Sequence, residues 1–251
     1  DDTQSSFTNF AMSGIDKRYM GLELGLSVPI AWGLSLQGAV SLGDYIYTSN
    51  PEFTQMIDNS ATDVVHSRVN WKGMKVESTP QTAINVGLNF RGPNNWFASV
   101  DFNYYDRLYL SMNPMYRTEY LANEIKRIYD WNNLETGRQK AYVVGIIDEI
   151  RQQEDLGNAY TLSASIGKNF RIKYKYTLGF SLQVNNILNN QRIRTGGYEQ
   201  MRLNKLSDPI IFPNADGEMV ITKKPTTYSR FDSKYFYMNG INYYLNIYFR
   251  F

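Results

Sequence analysis

From Tyr19 to Ile30 every second side chain is apolar: Met20, Leu22, Leu24, Leu26, Val28 and Ile30 alternate with Tyr19, Gly21, Glu23, Gly25, Ser27 and Pro29. A period of two predicts a β-strand with one apolar and one polar face. After a short turn at 31–33, Leu34, Leu36, Val40 and Leu42 oppose Ser35, Gln37, Ala39, Ser41 and Tyr45. Ile84, Val86, Leu88 and Phe90 then oppose Ala83, Asn85, Gly87 and Asn89. Beyond the turn at 91–95, Trp96, Ala98, Val100, Phe102 and Tyr104 oppose Ser99, Asp101, Asn103 and Tyr105. Three further runs repeat the pattern at 160–167, 177–185 and 242–251. Seven strands are predicted.

A soluble antiparallel sandwich also alternates, but three features point elsewhere. The runs approach the roughly 9–11 residues of a tilted membrane-spanning strand and exceed the soluble mode of about 5–6. Their polar positions are mainly small or amide-bearing (Gly, Ser, Asn, Gln and Thr), which suits a wet lumen. Tight turns near 31–33, 91–95 and 171–176 alternate with long loops at about 46–80, 112–158 and 190–234. That asymmetry is the signature of an outer-membrane barrel. Aromatic residues gather at the short-turn end, where Trp32, Trp96, Phe170, Tyr174, Tyr176, Phe249 and Phe251 are expected to form a girdle.

Composition narrows the chemistry. The net charge is +2 from 26 basic and 24 acidic residues, so no nucleic-acid partner is expected. There is no Cys and one His, which removes thiol chemistry, disulfides and any imidazole pair for zinc. His66 reads as an ordinary surface residue on a strand rising out of loop 46–80. No Ser/His/Asp set and no glycine-rich phosphate loop occur. We therefore expect no enzyme, no cofactor and no metal. The opening DDTQSSFTNF has neither a basic region nor an apolar stretch, so either a leader has been removed or the chain is an internal piece.

Orientation adds a constraint. Short turns belong on the periplasmic side, which places the end at Phe251 in the periplasm and the start near Lys17 outside. Bacterial single-chain barrels have even strand numbers, and a bilayer does not tolerate free sheet edges. Seven strands are therefore expected to be a slice of a larger barrel.

The stretches STPQTAINVGLNFRGPNNWFASVDFNYYDRLYLSMNPMYRT (78–118), NFAMSGIDKRYMGLELGLS (9–27), QQEDLGNAYTLSASIGKNF (152–170) and NYYLNIYFRF (242–251) resemble the late barrel of TonB-dependent outer-membrane receptors. The closest subgroup is the one with an N-terminal carboxypeptidase-regulatory-like domain. The resemblance implies an all-β transmembrane antiparallel barrel, with residues 1–251 forming about the last seven of roughly 22 strands. It implies uptake of a scarce nutrient across the outer membrane of a Gram-negative bacterium. The implied partners are the remaining strands and plug of the receptor, the TonB system and outer-membrane lipid, with a surface lipoprotein as a further candidate. No TonB box or plug occurs in these residues. The alternative function is a receptor-derived barrel component with a structural or interaction role and no energised transport.

Within that frame the polar-face residues Glu23, Gln37, Asp101, Tyr105, Arg107, Tyr109 and Asn185 are the candidates for ligand or plug contact, and Asp101 and Arg107 are expected to share a face as a charge network. Trp32, Trp96, Tyr176, Phe249 and Phe251 are the girdle candidates. Loop 112–158 should hold two helices, one presenting Leu121, Ile125 and Ile128 and the other Val143, Ile146, Ile147 and Ile150, packed on each other. Loop 190–234 is expected to be a long extracellular loop, with NADGEMV (214–220) as a hairpin tip joining two short extended pieces.

Overall fold

The computed structural model describes residues 8–57, 64–134, 136–173, 175–201, 203–206, 210–213, 216–222 and 227–251. In chain order the strands begin with β1 (Thr8–Ser13), β2 (Lys17–Ala31), β3 (Leu34–Tyr47), β4 (Glu52–Ile57), β5 (Val64–Arg68), β6 (Thr82–Arg91) and β7 (Trp96–Asp106). Two helices follow, α1 (Glu119–Ile128) and α2 (Gly137–Arg151). Then come β8 (Ala159–Ile172), β9 (Tyr176–Asn185), β10 (Arg194–Tyr198), β11 (Leu203–Leu206), β12 (Ile210–Pro213), β13 (Met219–Thr222), β14 (Thr227–Arg230), β15 (Lys234–Tyr237) and β16 (Asn242–Arg250). Neither helix is long and apolar enough to cross a membrane.

The seven alternating runs all lie in one antiparallel sheet, ordered β16-β9-β8-β7-β6-β3-β2. The chain adds each strand next to the last, so the sheet is a meander whose register keeps like with like. Leu36 lies between Val28 and Leu88, and Leu88 opposite Val100. Val100 faces Ala164, and Leu182 lies between Ile166 and Leu245. The polar positions form the other face: Ser27–Gln37–Gly87–Asp101–Ser163 cross five strands. The sheet is open, and its outer strands β2 and β16 each pair on one side only among the described residues.

Short turns close one end. The β2–β3 turn puts Trp32 and Gly33 at φ 48° and 80°, the left-handed pair that matches the twist of a two-residue hairpin. Gly33 also packs under Arg91, whose carbonyl oxygen would lie 1.9 Å from a Cβ there. Asn94 and Asn95 take positive φ in the β6–β7 turn, as does Lys173 between β8 and β9. Tyr174 lies outside the described residues.

At the opposite end the three long connections condense into a cap. Connection 46–80 holds β4 and β5, which join β1 in a three-stranded sheet. Connection 112–158 forms the two expected helices, and they do pack together. Leu121, Ala122 and Ile125 of α1 share a buried cluster with Val143, Ile147 and Ile150 of α2, Tyr116 and Tyr129, while Ile128 and Ile146 lie at its margin. Thr118 caps α1 and Thr136 with Gln139 forms a capping box on α2. Connection 190–234, expected as a long loop with a hairpin tip, is paired over much of its length. It is a long nested hairpin, pairing β10 with β15, β11 with β14 and β12 with β13. The tip residues 214 and 215 fall outside the description, but the arms on either side pair from Ile210↔Thr222 to Pro213↔Met219. Near the tip Gly217 rests against Arg138 of α2.

Candidate functional site

The two surfaces of the sheet differ in composition and exposure. The apolar face lies open: Leu26 is 66% exposed, and even on the central strand Val100 is 45% exposed. The buried apolar side chains described belong to the cap and its junction with the sheet, and none to that face. The polar face, by contrast, is hollow and more enclosed. One concavity of about 1010 Å³ near the short turns is lined by Ser27 of β2, Gln37 of β3, Asn89 of β6, Ser99 of β7 and Ser165 of β8. Side chains from five strands can line one hollow only if the sheet curves toward its polar side. A second hollow of about 440 Å³ lies further along and is lined by Glu23, Asn85, Asn103 and Tyr105.

Neutral hydrogen bonds run across the hollow face. Asn85 Nδ2 donates to Asn103 Oδ1 at 2.9 Å, and the Ser99 and Ser165 hydroxyls pair at 2.9 Å. Gln183 Nε2 donates to Asn185 Oδ1, and Asn185 Nδ2 to Asn242 Oδ1. The Tyr248 hydroxyl reaches Asn169 at 2.7 Å, crossing over Gly179, where a Cβ would collide with its ring. Such a ladder offers amide and hydroxyl groups to water or to a polyhydroxylated ligand, and carries little charge.

The expected site residues do not form a single cluster. Glu23 and Tyr105 share the smaller hollow, and Ser41 donates to Glu23 at 3.4 Å. Gln37 lines the larger one, and Asp101 reaches over Gly87 beside it. Asn185 stands at the far side of the sheet in its amide chain. Arg107 and Tyr109 are elsewhere, and the expected Asp101–Arg107 network is not formed. β7 ends at Asp106, and Arg107 takes φ 55°, which resets the alternation on which the shared face depended. The Arg107 guanidinium instead donates to the Thr82 hydroxyl at 2.7 Å and the Gln81 carbonyl at 3.0 Å. Tyr109 pairs with Asp155 in an isolated bridge at the base of the cap, and burial, then the Asp155 charge, pushes its phenol up.

All five girdle candidates stand at the short-turn end. Trp32 projects from its turn at 95% exposure, Trp96 meets Phe180 edge-on at 6.1 Å, and Tyr176 stacks on Phe249 at 5.7 Å, with Phe251 next to it. A second belt went unread in the sequence: Tyr104, Tyr160 and Tyr243 occupy the apolar face at the cap end, the first two in direct register. Their positions within the alternating runs were the available signal.

The cap is locked by charges that no local motif reveals. Arg117, fully buried, grips Glu199 with both terminal nitrogens, one at 2.7 Å. Arg230 donates to the same carboxylate at 2.7 Å, and both arginines also donate to the Gln152 carbonyl. Nearby, Glu154 accepts from Tyr235 at 2.5 Å and Ser233 at 2.9 Å. Burial, and secondly that carboxylate, holds the Tyr235 phenol above its ordinary range. The described residues contain no group of three His, Asp or Glu side chains placed to hold a metal ion. Comparison with protein-family models finds no match, and no curated protein is significantly similar to the chain.

Proposed function

We propose that the seven-stranded sheet is one sector of a transmembrane β-barrel wall, belonging to an outer-membrane receptor that takes up a scarce nutrient. The inverted sheet carries this reading: amides and hydroxyls, with the Phe97 ring among them, face the hollow, while Leu, Val, Ile and Phe cover the outside. In water that outer face would be a continuous apolar patch far larger than a soluble monomer exposes. In lipid it is the required surface. The two aromatic belts fit the same solvent. Trp96 and Tyr104 are eight residues apart on β7, which at a rise of about 3.4 Å and a tilt of about 40° gives about 21 Å along the barrel axis. Tyr160 and Phe170 on β8 give about 26 Å by the same arithmetic, and an outer-membrane apolar band is about 25 Å tall. Both edges of the sector then pair with further strands of the receptor, because unpaired backbone is not stable in lipid. The capped end faces outward over the lumen.

A cysteine scan along β7 tests the wall, since the chain contains no Cys of its own. In outer-membrane fractions, Ser99→Cys, Asp101→Cys and Asn103→Cys should react with a water-soluble maleimide. Ala98→Cys, Val100→Cys and Phe102→Cys should be protected by lipid. Uniform labelling refutes the wall. Uptake is tested separately, by loss of growth on a limiting nutrient when the receptor gene or the TonB system is removed. A correct scan without such a growth defect leaves a purely structural barrel component.

A further inference from the structure

The short-turn end carries charge of one sign only. Residues 29–35, 88–97, 167–178 and 247–251, which make up this rim, contain Arg91, Lys168, Arg171, Lys173, Lys175 and Arg250 and no Asp or Glu. The whole chain is nearly balanced at 26 basic and 24 acidic residues, yet no Asp or Glu side chain falls in these stretches. One of these cations is placed where a lumen charge would not be. Lys168 lies on the apolar face, opposite Trp96 on one side and Phe180 on the other. Its ammonium sits 4.7 Å from the Trp96 ring centre and 4.9 Å from that of Phe170. Lys175 lies 5.4 Å over the ring of Tyr176 in the same girdle.

We propose that this rim binds the phosphodiester headgroups of anionic phospholipids, with Lys168 in its Trp96–Phe170 frame as the central contact. The proposal rests on the membrane-wall reading above. A lysine on a lipid-facing surface is stable only if its ammonium reaches the headgroup layer, and its four-carbon stem allows this from a position near the end of a strand. The flanking rings hold the ammonium at that level by cation–π attraction while sitting in the interfacial zone they favour. With no Asp or Glu side chain on the rim to neutralise them, the other cations add their field to the same layer. A phosphate ester bearing one negative charge is the group this arrangement satisfies. A zwitterionic headgroup brings its own ammonium into the same layer and gains much less.

Fluorescence quenching separates the possibilities. The receptor assembly containing this chain with Trp32→Phe is reconstituted into vesicles in which either phosphatidylglycerol or phosphatidylcholine is brominated in its acyl chains. The Trp96 signal is the difference from the same assembly with Trp96→Phe, which subtracts Trp71, Trp131 and the tryptophans of other strands. Brominated phosphatidylglycerol should quench as if its local affinity were about fivefold higher, and the preference should shrink in high salt. Lys168→Gln should bring the two lipids close to parity, and Lys168→Arg should restore the preference. Equal quenching by both lipids in the unmodified chain overturns the proposal but leaves the membrane wall intact, and assigns the basic rim to an acidic protein partner instead. Quenching by neither lipid means that Trp96 does not face lipid, and the membrane reading itself fails.

Discussion

Replacing Val100 with Arg separates a lipid-facing sheet from a water-facing one. Val100 lies midway between Trp96 and Tyr104 on the central strand, flanked by Leu88 and Ala164 on the apolar face. At 45% exposure it has little packing to lose. On a surface in water, Val100→Arg should therefore change stability by no more than about 0.5 kcal/mol. At the midplane of a bilayer the same substitution costs about 2–4 kcal/mol, falling to about 0–1 kcal/mol at the interfaces. Trp96→Arg and Tyr104→Arg should accordingly cost less charge penalty than Val100→Arg, although each sits on the same face. Ser99→Arg provides the control for register. It sacrifices the hydrogen bond to Ser165, worth about 0.5–1.5 kcal/mol, but delivers its guanidinium into the wet hollow. Urea titration of the assembly folded in vesicles, followed by tryptophan fluorescence, measures all four. A cost at Val100 below about 0.5 kcal/mol, or costs without a maximum at the middle of the strand, would falsify the lipid-facing assignment.

Three other outcomes follow from the geometry. Glu199→Gln leaves Arg117 buried without its counter-charge and should loosen the cap by about 3–5 kcal/mol, seen as faster amide exchange over 112–158 with the sheet unchanged. Gly33→Ala, with φ 80° and the Arg91 carbonyl in the way, should destabilise the hairpin by more than about 1 kcal/mol, read as a lower urea midpoint. Burial, before any neighbouring charge, raises the phenols of Tyr116 and Tyr235 above the ordinary value of 10.0. Folding therefore favours their neutral forms, and this contribution holds below about pH 10 and is lost as pH rises beyond it. Tryptic cleavage of the cap should accelerate only in that alkaline range, and Tyr235→Phe should blunt the change. Cleavage that begins below it would contradict the assignment.

The seven-stranded sheet was legible because its information is local. A strand with one apolar and one polar face alternates at every step, and neighbouring strands are consecutive in the chain, so seven runs correspond to seven strands. The helices were legible for the same reason, since Leu121 and Ile125, or Val143 and Ile147, recur at helical spacing. The nested hairpin was not. Its arms, such as RTGGY and LNKL, lack a consistent apolar face, and residues as far apart as Arg194 and Tyr237 define its pairing. Arg107 was misplaced because one left-handed residue reverses the parity that alternation assumes. The Arg117–Glu199–Arg230 set was invisible for a different reason. Its members are 82 and 31 residues apart, and only the folded cap makes them neighbours.

That single carboxylate also governs how the cap moves. Glu199 and Arg230 belong to the hairpin, Arg117 and Gln152 to the helical connection, and Arg117 further ties in the first connection through its carbonyl, which accepts from Asn70. Releasing the hairpin from the helical connection means parting a buried ion pair at about 3–5 kcal/mol, which leaves roughly one molecule in 200 to one in 5,000 so opened at any moment, while the first connection is held by hydrogen bonds to the same arginine. Three separate fingers would fan open independently and admit solutes through many small gaps. These three are tied together, so in the proposed receptor a solute at the mouth would meet one plate and not three separate loops.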